Sequence, residues 1–126
     1  MKVKRDFLEK TLEFALDVSY EAGEILLKYQ KKRAELEVIS KGSEGIASEA
    51  DVKSEEYILG RLKKDYPKHF ILSEEDYAIN PNASYEEAAE AEFAWLIYPL
   101  DGTNNFVNGI PLYAVSLGLL SKGEPV

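Results

Sequence analysis

The chain contains no cysteine, which excludes a disulfide framework and any thiolate metal site. It has one histidine, His69, and a lone imidazole beside an apolar segment is better read as a flank of a strand than as a ligand. Positive charge is scarce: 15 Lys and Arg face 23 Asp and Glu, for a net charge of −8. That balance excludes nucleic acid or an anionic membrane surface as the main partner, because both need clustered cations. A small phosphate compound is not excluded, since a metal ion can bridge acidic side chains to phosphate oxygens. Long apolar runs are also lacking. The longest, "IPLYAVSLGLL" (Ile110 to Leu120), is interrupted by Ser116 and is too short to span a bilayer. The opening "MKVKRDFLEK" is charged and has no apolar core of a secretory signal. The expectation is therefore a cytoplasmic protein with no membrane partner.

What is present is ordinary globular material: 126 residues, 45% hydrophobic and 30% charged, enough for one domain over residues 1–126. Phe7, Leu8, Leu12, Ala15, Leu16, Ser19, Ala22, Gly23, Leu26 and Leu27 recur at helical spacing and predict one helix from about Asp6 to Lys32. Ala22 and Gly23 would let another element approach closely, and Lys31 to Arg33 read as a solvated helix end. "LEVIS" (Leu36 to Ser40) alternates like a strand, followed by a "KGSEG" loop. Ser48 and Asp51 fit an S/T-x-x-D/E helix start, and the amphipathic run that follows is ended by Pro67. "HFILS" (His69 to Ser73), "FAWLIY" and "PLYAVSLGLL" predict three strands. Between the first two, a turn at Asn80-Pro81-Asn82 and an N-cap at Ser84 predict a short helix. Helices alternating with strands indicate an α/β or α+β layered sandwich.

Chemistry concentrates where these strands end. Glu74, Glu75 and Asp76 follow one strand, Asp101 follows another, and Asp51 lies at the expected helix start. If the two strands are neighbours, their carboxylates converge as hard oxygen ligands suited to Mg²⁺ rather than zinc. Taken singly, each acid is as well explained as a turn residue or helix cap. Around Asp101 the special residues are dense. Pro99 would stop the ladder, Gly102 admits close backbone approach, Thr103 could cap a helix through "NNF", and amides at such a turn favour an anion.

The stretch "WLIYPLDGTNNF", Trp95 to Phe106, is similar to the signature W-I/L-I/L-D-P-I/L-D-G-T-x-N-F of the inositol monophosphatase family of metal-dependent, lithium-sensitive sugar phosphatases. "ILSEED" resembles its G-E-E segment, "IASEAD" its V-T-x-x-D segment, and "YPKHFIL" its Y-P-x-H approach to the glutamates, all in the family's order. The resemblance implies the N-terminal half of the sugar-phosphatase fold, with long helices on a mostly antiparallel sheet. It implies Mg²⁺ as cofactor, a small phosphorylated substrate, and hydrolysis of phosphate monoesters of inositol or sugars. Carried over by position, Glu74, Asp101 and the Leu100 carbonyl would be metal ligands. Gly102 and Thr103 would bind the phosphate, and Asp51 with Thr103 would orient the attacking water.

Departures from the pattern matter equally. Tyr98 stands where the family has its first signature aspartate, and a bulky phenol cannot replace a bridging carboxylate. Ser73 stands for the usual glycine, Ser48 for the usual threonine, and Gly45 for an acid. The resemblance further implies a C-terminal half, with another ligand aspartate in W-D-x-A-A-G, beyond the closing "GEPV". The reading is of a truncated domain with weak Mg²⁺ binding and reduced or absent activity, self-associating as a homo-oligomer or acting as a complementing fragment. The competing reading is a non-catalytic assembly or protein-binding module on the same scaffold.

Overall fold

The computed structural model describes residues 3–36, 43–73 and 85–126. Over these the chain forms α1 (Arg5–Leu36), α2 (Ser43–Asp65), β1 (Phe70–Ser73), α3 (Tyr85–Glu90), β2 (Phe93–Asp101), α4 (Thr103–Val107), β3 (Ala114–Ser121) and β4 (Glu124–Pro125). The strands make one sheet in the order β1-β2-β3-β4, with β1 and β2 parallel and the other neighbours antiparallel. Helices α1 and α2 cover one face. Val18, Ala22, Ile58 and Leu62 from the helices enclose Trp95 and Ile97 of β2. Alternate β2 residues point the other way, so that Ala94 meets Leu72 and Ala88 of α3 on the opposite face. A central strand covered on both faces is apolar throughout, which is why "FAWLI" does not alternate.

The α1 stripe is rotated from the expected one. Its buried face runs Thr11, Val18, Ala22, Leu26, Tyr29 and Arg33, whereas Leu12, Leu16 and Leu27 are exposed. The apolar residues cover more of the helix circumference than one contact can bury, and the sheet selects which part is covered. Ala22 makes the expected close approach, while a Cβ on Gly23 would meet open space. Arg33 is buried, so the helix end is not simply solvated.

Two boundaries also move. Leu36 ends α1 instead of opening a strand, and the rest of "LEVIS" lies outside the described residues, as do Asn80, Pro81, Asn82 and Ser84. α2 begins at Ser43, so Gly45 and Ser48 lie inside it and the expected "KGSEG" loop is in part helix. The good helix formers Ala47, Glu49 and Ala50 carry the helix back past the S/T-x-x-D/E signal, and Gly45 weakens it only modestly so near its end.

At the other end of the sheet, the Trp95 Nε1–H donates to His69 Nδ1 at 3.0 Å. The imidazole stacks on Tyr66 at 4.8 Å. Burial holds His69 below its ordinary value of 6.5, with Glu92 pulling the other way. Between that value and the lower folded one, the unfolded chain binds more protons, so stability present above pH 6.5 is lost as pH falls through this window. Thermal unfolding followed from about pH 7.5 to about pH 5.5 should show a steeper loss in wild type than in His69→Gln, which keeps an acceptor for Trp95. Equal slopes would remove His69 from the acid sensitivity.

Candidate active site

The parallel pairing of β1 with β2 ends at Ser73↔Ile97, so both strands run out at the same end of the sheet. Glu74, Glu75 and Asp76 come next in sequence and lie outside the described residues. Ser73 is fully buried, and its hydroxyl donates to Glu55 Oε2 at 2.7 Å. This tie gives the serine a role where the family pattern has glycine.

On β2 the ladder does not stop at Pro99, as the sequence suggests. The strand continues to Asp101, and the pairs Tyr98↔Ser116 and Asp101↔Ala114 show one extra residue on β2. This bulge accommodates the missing proline amide. It also decides a direction. Ser116 and Ala114 are two apart on β3 and share a face, so their partners Tyr98 and Asp101 share that face too. Without the extra residue, positions three apart would point to opposite faces. Tyr98 and Asp101 are exposed, while Pro99 and Leu100 between them are buried. The Leu100 side chain is held among Leu26, Tyr29, Ala50 and Phe106.

α2 reaches the same end of the sheet from the helical side. Ser54 Oγ donates to the Pro99 carbonyl at 2.8 Å, a fully buried contact that fixes the bulge. Asp51 is half-buried one turn earlier, at i−3 from Ser54 and i−4 from Glu55, and so shares their helix face. It stands well inside α2, not at the helix start. One position before Ala50, Glu49 accepts a hydrogen bond from the Tyr29 hydroxyl at 3.1 Å. Burial first and this carboxylate second push the Tyr29 phenol up. Sequence alone does not single out Ser54 or Glu55, and it marks Ser73 only as standing for the family's glycine. Small hydroxyls and one acid among many carry no signal until their neighbours are known.

The turn after Asp101 is built on Gly102, with φ +89°. A Cβ there would sit 2.9 Å from the Leu112 carbonyl oxygen, so both conformation and space require glycine. Gly102, not Thr103, is the N-cap of α4, and no side chain caps that end; Thr103 is the first helical residue and is exposed. Asn105 Nδ2 donates to the same Leu112 carbonyl at 2.8 Å. The Ile110 amide donates to the Asn105 carbonyl at 2.8 Å. Turn and following loop are thereby laced together. Asn108 and Gly109 form the expected turn, with Gly109 at φ +74°.

Asp51, Leu100, Asp101, Gly102 and Thr103 thus belong to elements that meet at one end of the sheet. Among the described residues, no group of three or more His, Cys, Asp or Glu side chains is placed to hold a metal ion. The donors there are hard oxygens. Asp101 is solvent-facing beside a backbone turn, which suits Mg²⁺ with its preference for one or two carboxylates plus water and phosphate. Tyr98, on the face of Asp101, brings no carboxylate.

A sequence model of the inositol monophosphatase family matches residues 8–126. The chain belongs to the inositol monophosphatase family. Among its relatives, the fructose-1,6-bisphosphatase/inositol-1-monophosphatase of Aquifex aeolicus is 35% identical over 119 residues, covering 94% of this chain and 42% of its own length. The Nus factor SuhB of Pasteurella multocida is 34% identical over 113 residues, covering 90% of this chain and 40% of its own. The inositol monophosphatase of Anabaena superposes with a TM-score of 0.69 at 29% identity, over 95% of this chain and 37% of that one. The chain therefore spans about 40% of the length of the inositol monophosphatase relatives it matches, and shares their fold of long helices on a mostly antiparallel sheet. Among the described residues, no helix is long and apolar enough to cross a membrane.

Proposed function

We propose that this chain carries part of the site of a Mg²⁺-dependent phosphate monoesterase acting on inositol or sugar phosphates, with metal binding weakened by Tyr98. The observation that carries the reading is the bulge-and-turn at Tyr98 to Thr103, in which Asp101 ends the strand beside the tight Gly102 turn. The names of the relatives, one of them a bisphosphatase and monophosphatase, support the substrate class. Asp101, the Leu100 carbonyl and Glu74 would hold Mg²⁺. Gly102 and Thr103 would bind phosphate through their amides, and Asp51 with Thr103 would orient water toward phosphorus. When bound, Mg²⁺ supplies charge neutralisation and Lewis acidity.

Isothermal titration with Mg²⁺ and Mn²⁺, together with phosphate release from inositol monophosphate, tests the reading. Wild type is expected to bind weakly, and Asp101→Asn to lose at least about tenfold in affinity. No binding by wild type would overturn the metal-site reading, and rapid metal-dependent turnover would overturn the weakening ascribed to Tyr98.

A second reading, a self-associating module, is favoured by a different observation. Leu12, Leu16, Tyr20 and Leu27 are exposed along α1. Tyr20 and Leu27 line one, and Leu12 the other, of two apolar grooves of about 420 and 410 Å³ between α1 and β3. Burying that seam against a second copy would remove it from water. Light scattering should then give a dimer mass that falls to a monomer in Leu12→Glu/Leu16→Glu; a monomeric wild type would count against this reading.

A further inference from the structure

Among the described residues, Arg33 is a buried charge that the proposed chemistry does not use. It lies in the last turn of α1, only 5% exposed, and its Nε donates to the Val107 carbonyl at 2.7 Å. Val107 is the last residue of α4, and the bond joins positions 74 residues apart in sequence. The guanidinium also lies against Gly109. A Cβ at that position would come within 2.7 Å of Nη1 and 2.9 Å of Cζ. The positive φ of Gly109 favours glycine, and the missing Cβ leaves the space that the Arg33 guanidinium occupies. Burying a guanidinium is costly unless its donors are satisfied, and the Val107 carbonyl satisfies one of them.

What it holds is the far end of the turn described above. The Phe106 amide donates to the Gly102 carbonyl at 3.0 Å, the Asn108 amide to Asn104 at 3.1 Å, and the Gly109 amide to Phe106 at 3.2 Å. Gly102 at one end and Val107 at the other are thus joined by little more than one helical turn. A helix this short does not hold its shape by its own hydrogen bonds. Phe106 anchors the middle against Leu26 and Tyr29, which precede Arg33 by seven and four residues on the same face of α1.

We propose that Arg33 is a positioning residue: by binding the C-terminal carbonyl of α4 and packing on Gly109, it holds the Asp101-Gly102-Thr103 turn in a single conformation. It does not touch substrate, because the guanidinium is enclosed at the end of α4 opposite Gly102. Its relevance to phosphate hydrolysis rests on the function proposed above; the ordering of the turn does not.

Hydrogen exchange on the full chain separates the two. In Arg33→Met, which keeps the aliphatic stem, the amides of Phe106, Asn108 and Ile110 should exchange at least about tenfold faster than in wild type, as expected for loss of one charge-assisted bond. The amides of Trp95 and Leu96 in β2 should change only by the factor that the urea midpoint dictates. Arg33→Lys keeps the charge without the planar fork and should restore part of the protection. If Arg33→Met does not fold, Arg33→Lys alone must show selective acceleration at α4 of about threefold or more. Equal acceleration at α4 and β2, or none at α4, overturns the proposal. Mn²⁺ titration of the same variants tests the link to the site. Weaker binding in Arg33→Met supports it, whereas no binding even by wild type defeats the phosphatase reading and leaves the exchange result to decide Arg33.

Discussion

Phe106→Ala is expected to lower the unfolding free energy by about 3–5 kcal/mol, the range for deleting a fully buried aromatic ring and leaving a cavity. Phe106 is 0% exposed and contacts Leu26 and Tyr29 of α1, Ala50 of α2 and Leu100 of β2. Its ring also meets Tyr113 edge-on at 5.0 Å. Because these partners come from separate elements, no single side chain can move in to fill the space. A loss of that size is a large part of the about 5–15 kcal/mol that separates most folded domains from their unfolded chains. Chemical denaturation of wild type and variant measures it. Leu12→Ala is the control: at 59% exposure it should cost no more than about 0.5 kcal/mol. A Phe106→Ala variant as stable as the Leu12→Ala one would mean that the turn is not anchored by this ring.

The second large effect is a gain. Tyr98→Asp should tighten Mg²⁺ or Mn²⁺ binding by about tenfold to a hundredfold, read by isothermal titration, with Tyr98→Phe as the control that should change nothing. The bulge makes this expectation geometric. Tyr98 and Asp101 lie on one face, opposite β3 residues that are two positions apart, or about 7 Å along the strand. Two carboxylates projecting from such positions can converge on one cation. Tyr98 is 37% exposed, so a charge there needs no burial, and the cost of aspartate in a strand is about 1 kcal/mol or less. Unchanged affinity would indicate that the face bearing Asp101 is not where metal binds. Restored binding without phosphate release would separate the metal site from catalysis.

These expectations rest on different kinds of knowledge. The helices and strands follow largely from local pattern: α1 over four-fifths or more of its length, Pro67 as the limit of α2, and the apolar runs of β1, β2 and β3. α2 starts at Ser43 and not at Ser48 because local helix signals are short-range, and a plausible cap at Ser48 competes with residues that simply continue the helix. Pro99 does not end the strand because the penalty for a missing amide applies only where the ladder requires one, and a bulge removes that requirement. Gly102 takes the capping position that the sequence suggests for Thr103, because side-chain caps are more easily read from sequence than a left-handed glycine.

By itself, the sequence determined the layered fold, the absence of thiolate chemistry, the family, and the crowding of acids and turn residues around Asp101. These depend on residue types and spacing, which a linear pattern records. Only the tertiary structure decided that β1 and β2 run parallel toward the same end of the sheet, and that the bulge turns Asp101 to the face of Tyr98. It alone decided that Ser54 and Glu55 tie α2 to the strand ends, and that Arg33 is buried against Val107 instead of solvated. Each of these is a contact between residues 13 to 74 positions apart. Strand register, bulge and buried charge are settled by which partner the folded chain supplies, and no local propensity encodes the partner.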